Sequence, residues 1–170
     1  MSAHPPTEPA KNTGSSPFAQ VYRIFASTLI GAPVVLTVVV VLSVTASTES
    51  LPVGVTAAII AAVLLGGFAA QTFGYRLAPL TALGQEAVAN QRFQQSATLR
   101  FALTEAPFIA VVALTYVLPY GWAPTLVAAV IAVPGLFFHL WPTRRVVGRS
   151  AERLESGGIP SGLRETFGHR

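Results

Sequence analysis

Four apolar stretches alternate with polar segments along the chain, at about 24–48, 51–75, 101–118 and 123–141. The first carries no charge and, at 1.5 Å per residue, makes about 37 Å of helix, enough to cross a bilayer with room to tilt. The third is short unless its helix runs back into the polar segment before it. Only Pro119 to Trp122 separate the third and fourth, so these two must fold as an antiparallel hairpin with prolines and aromatics at the outer surface. The pattern predicts an all-α integral membrane protein with four transmembrane helices arranged as two hairpins.

Between the second and third spans, residues 77–98 combine Gln85, Glu86, Gln91, Gln94 and Gln95 with Leu80, Leu83, Ala87 and Val88. Spacing of three and four predicts an amphipathic helix on the inner membrane surface or beneath the bundle, with a turn near Asn90 and Gln91. Residues 1–20 are rich in Pro, Ser and Thr and predict a disordered cytoplasmic tail. Residues 21–145 form the membrane domain, and 146–170 a basic cytoplasmic tail. Within that tail Leu154, Ile159, Leu163 and Phe167 suit a short docked helix broken at Gly157 and Gly158, and a solvated tail fits equally well.

Composition agrees with the pattern: 170 residues with 52% hydrophobic and 11% charged side chains need lipid to solvate much of their surface. Charge adds orientation. All eleven Lys and Arg residues lie before the first span, between the second and third, or after the fourth. Positive charge is retained in cytoplasmic loops, which predicts both termini and the middle segment inside, with two short turns outside. The arginines flank apolar spans instead of forming a basic face, which favours anionic lipid headgroups over nucleic acid. Ten arginines against one lysine, with abundant Ala, Gly, Val and Pro, suggest a high-GC bacterial genome and hence the bacterial plasma membrane. The Val44 and Ala46 pair has the form of a signal-peptidase site, but the apolar run before it is long for a signal core and is read as a span.

Chemistry is sparse. The chain contains no Cys and no Asp, and its histidines are His4, His139 and His169. Disulfides, thiolate metal sites, Cys nucleophiles and Asp-based triads are thereby excluded, no nucleotide-binding or hydrolase motif appears, and no cofactor, metal or catalytic residue is assigned.

Helix packing has a clearer signature. Ala58, Ala62, Gly66, Ala70 and Gly74 recur every fourth residue on the second span, a ribbon that lets another backbone approach closely. Ala102, Ala106 and Ala110 form a shorter ribbon on the third. The β-branched run Val38 to Val41 suits a lipid-facing surface. Placing Leu51-Pro52-x-Gly54 over Leu118-Pro119-x-Gly121 also aligns Ala61-Ala62-Val63 with Ala128-Ala129-Val130, which suggests a parallel internal duplication.

Glu105 is the one acid within an apolar span. Intramembrane charges usually face the bundle and find a partner. The hairpin places His139 at similar depth, where a carboxylate and an imidazole in contact would favour each other's charged form and link the pair to proton movement. Arg76 or Arg100 would instead make a structural clamp, and an unpaired interfacial acid is the third reading. The string from Ala102 to Pro107 is similar to the carboxylate helix of rotary ATP synthase c-subunits, which implies Glu105 as a proton carrier. Four spans, a polar middle segment and an acid near the inner interface depart from that family, and membership is not adopted. The expected function is a non-enzymatic structural or accessory subunit, as a homo-oligomer or within a larger membrane complex, with a proton-linked carrier or channel component as the alternative.

Overall fold

The computed structural model describes residues 16–169, so the expectation for residues 1–15, and the positions of Lys11 and Arg170, lie outside the described residues. Six helices follow in order: α1 (Pro17–Ser43), α2 (Val53–Phe73), α3 (Glu86–Thr115), α4 (Ala123–Leu140), α5 (Arg144–Leu154) and α6 (Leu163–Thr166). The first four are long and apolar enough to cross a membrane, and no strand occurs among the described residues. Helix α1 starts earlier than the hydropathy pattern implied, because Ser16 caps it by accepting from the Ala19 amide and Pro17 occupies the first turn, where its missing N–H costs nothing.

Helices α3 and α4 pack together at the centre, α2 lies against both, and α1 packs mainly on α4 and α3. The first expected hairpin is therefore a sequence neighbourhood more than a packed pair. A buried side chain explains the choice: the Tyr22 hydroxyl donates to the Leu140 carbonyl at 3.0 Å and ties α1 to the end of α4. At the opposite end the loop after α1 rests on the α3–α4 turn, where Ser47 Oγ donates to the Pro119 carbonyl at 2.6 Å. Gly121 sits there at φ 58°, and a Cβ would come within 2.6 Å of the Thr45 carbonyl oxygen. Both its conformation and its space admit only glycine.

The middle segment differs from the amphipathic helix expected over 77–98. Residues 77–85 are irregular, broken by Pro79 and by Gly84 at φ 76°, and the helix that begins at Glu86 runs without a turn through Asn90 and Gln91 into the third span. Its apolar set is split accordingly: Leu80 is buried, Leu83 and Ala87 are exposed, and Val88 is half-buried. At 30 residues α3 is about 45 Å long, more than a hydrocarbon core requires, so its polar first turns project beyond the apolar girdle.

Those projecting turns are covered by the chain after α4. The basic tail, read either as a docked helix or as solvated chain, folds as α5 and α6 on either side of Gly157 and Gly158, burying Val146, Val147, Ala151, Leu154, Leu163 and Phe167. Thr143 caps α5, and the Glu155 carboxylate accepts from the Ser161 amide and hydroxyl while pairing with Arg164 at 3.5 Å, closing the turn between the two helices. The Leu80 amide donates to the Leu154 carbonyl at 2.9 Å. Tyr22, Phe93 and Phe167 meet with ring centres 4.8 to 5.6 Å apart, and Phe18 packs edge-on against Phe167. The molecule thus has two cores: this aromatic one at the arginine-rich end, and an aliphatic one further along the bundle built on Val40, Ile59, Val63, Phe108, Ala128 and Ala132. Val40 is wholly buried, although Val38, Val39 and Val41 beside it are exposed as the lipid-facing reading requires.

Candidate functional site

The small-residue ribbon of α2 serves two purposes along its length. Gly66 lies so close to α3 that a Cβ would come within 2.6 Å of the Leu103 carbonyl oxygen and 2.7 Å of Pro107 Cγ. Pro107 has no N–H to give to that carbonyl four residues earlier, so the helix itself leaves Leu103 O free for the close approach of Gly66. Further toward the arginine-rich end Ala70 and Gly74 are buried, and a Cβ on Gly74 would overlap the Arg100 side chain. Toward the other end the helices separate. There Gly54, Ala58, Ala62, Pro107, Ala110 and Leu114 line an apolar groove of about 510 Å³, with Ala58 and Ala110 exposed.

Of the polar candidates, Arg100 is placed most unexpectedly. It is wholly buried, its Nε donates to the Ser96 carbonyl at 3.2 Å, and its guanidinium carbon stands 4.3 Å from the centre of the Tyr75 ring. Arg149 from α5 approaches the same ring at 4.7 Å. Both terminal nitrogens of Arg100 lack hydrogen-bond partners, as do buried Thr104 Oγ1 and His139 Nδ1, and these are the only such buried side-chain atoms among the described residues.

The four atoms belong to one region. Arg100 and Thr104 are a turn apart on α3, and a Cβ on Gly135 of α4 would lie 3.6 Å from the Thr104 methyl. His139 is the next turn of α4, with Nε2 facing Gly67 of α2 at 4.0 Å from its would-be Cβ. A buried cation, a hydroxyl and an imidazole thus occupy neighbouring turns of α3 and α4, each with an unpartnered polar atom.

Glu105 does not join them. It is half-buried and forms no ion pair among the described residues, where Arg164 with Glu155 is the one salt bridge. Arg76, the other expected partner, is exposed and stacks on Phe73 at 4.6 Å. The expected Glu105 pairings with His139, Arg76 and Arg100 are therefore not formed. One residue along the helix separates the faces: 100, 104 and 108 point inward, and 105 lies about 100° around from 104.

Sequence reasoning placed Arg100 at a membrane boundary and overlooked Thr104 and Tyr75. The signal was present: Ala89, Phe93, Ala97, Arg100, Thr104, Phe108, Val112 and Thr115, all buried, follow steps of three and four. Starting the third helix at Phe101 concealed it.

The fold and site together define an all-helical chain with four candidate membrane-spanning helices. No family model, curated protein or solved structure matches it.

Proposed function

We propose that the protein is a multi-pass subunit of the bacterial plasma membrane that acts by association, without catalysis, receiving a further transmembrane helix in the groove between α2 and α3. The observation that carries this reading is the groove itself: small residues continue the ribbon past the point where α2 and α3 use it on each other. Apolar side chains gain little by leaving lipid, so close backbone approach is a main source of helix association in membranes, and Gly54, Ala58, Ala62 and Ala110 permit it. The occupant is a helix of a second copy or of a larger membrane complex.

In the same reading both termini are cytoplasmic, because the arginines of α5, α6 and the α2–α3 connection gather at one end of the bundle. The two halves then run in parallel, α2 corresponding to α4. The arginine-rich end meets anionic headgroups, not nucleic acid.

Purification in mild detergent, with mass measurement and identification of co-eluting membrane proteins, tests the proposal. Replacing Ala58 and Ala110 together by Leu fills the groove at exposed positions and is expected to abolish association while leaving thermal stability unchanged. A chain that is monomeric and elutes alone, or one whose association survives both leucines, would sink it. No observation favours the proton-linked alternative, since Glu105 and His139 do not meet.

A further inference from the structure

We propose that Arg100, Thr104 and His139 form a binding site for a small monovalent inorganic anion of the halide class. A buried guanidinium without a counter-charge is among the costliest arrangements in a protein, because desolvation of an ion still amounts to several kcal/mol after relaxation. Tyr75 offsets part of that cost through its ring face but leaves both terminal nitrogens of Arg100 without acceptors. Arg149 over the same ring adds a second cation, and no carboxylate pairs with either one among the described residues, where the one salt bridge joins Glu155 to Arg164.

The chemistry of the free atoms selects the ligand. The two Arg100 nitrogens can only donate, the Thr104 hydroxyl can donate, and His139 Nδ1 donates in one of its neutral tautomers. A set made of donors fits an acceptor that carries no hydrogen, and a single negative charge neutralises the single buried guanidinium. The three side chains are enclosed: Arg100 is 0%, Thr104 1% and His139 5% exposed. A headgroup phosphate tethered to acyl chains needs an opening to the side, whereas a bare halide does not.

The test uses the full chain in detergent, with unfolding followed by the fluorescence of Trp122 and Trp141 at constant ionic strength while gluconate is replaced by chloride or bromide. The unfolding midpoint is expected to rise by several degrees and to saturate with either halide. Arg100→Gln should remove the response. Thr104→Val, which keeps shape and loses one donor to the anion, should weaken the apparent halide affinity about tenfold, and this variant decides alone if Arg100→Gln does not fold. Diffraction from bromide-grown crystals should place an anomalous peak beside the Arg100 guanidinium.

Equal midpoints in gluconate, chloride and bromide would overturn the proposal, as would a halide effect that Thr104→Val leaves untouched. Stabilisation that follows added phosphatidylglycerol and ignores halide would assign the cluster to lipid phosphate instead. Water alone at the position would overturn it too.

Discussion

The guanidinium carbon of Arg100 on α3 lies 4.3 Å from the centre of the Tyr75 ring, just past the end of α2. This contact holds a full charge inside the bundle, so the ring face matters more than the phenol hydroxyl. Tyr75→Phe should unfold within about a degree of the parent protein. Tyr75→Leu should cost about 2 kcal/mol, since a desolvated cation–π contact and part of the buried ring area are lost together. Thermal unfolding in detergent compares them, and equal stability of the two variants would show that the stacking contributes nothing.

Gly66→Ala should destabilise the protein by about 1–3 kcal/mol, because the added methyl meets backbone oxygen on α3 and the rigid Pro107 ring, neither of which can rotate away. Gly31→Ala is the control. A Cβ there meets nothing within 4 Å, and alanine favours helix over glycine, so that variant should be neutral or slightly stabilised. Denaturation midpoints for the pair read the difference directly.

Tyr22→Phe removes the hydroxyl that joins α1 to the Leu140 carbonyl and should cost about 1 kcal/mol. The effect should be concentrated at the arginine-rich end, where Tyr22 also packs on Phe93 and Phe167. Limited proteolysis should release the α5–α6 segment faster than in the parent protein. Unaltered cleavage would mean that this hydrogen bond does not secure the cap.

Glu105→Gln should change stability by less than about 1 kcal/mol, because no ion pair is lost. Assembly should also survive. A variant that falls apart would restore the clamp that the sequence suggested.

Reporter fusions should place both ends of the chain inside. A periplasm-active reporter joined after Glu49 or Tyr120 is expected to function, and one joined after Arg92 or Arg149 to stay silent. Activity after Arg92 would reverse the topology.

The four long helices were legible in the sequence because membrane burial is a property of a segment. A backbone surrounded by hydrocarbon must satisfy its own hydrogen bonds, so apolar length alone specifies a helix whichever neighbours it later meets. The ribbon from Ala58 to Gly74 was legible for the same reason, as a spacing on one helix. Which helix each residue meets is a property of pairs. The turn at Gly84, not the polarity of Asn90 and Gln91, decides where α3 begins, and that register carries Arg100 inside while turning Glu105 partly out. Leu154, Leu163 and Phe167 suggested that the tail could dock, but the surface they dock on is made by Phe18 and Tyr22 of α1 with Phe93 of α3, brought together only by the packed bundle. Hydropathy measures what each segment loses by meeting water. Only the packed bundle determines which buried polar atoms find partners, and it leaves those of Arg100, Thr104 and His139 without them.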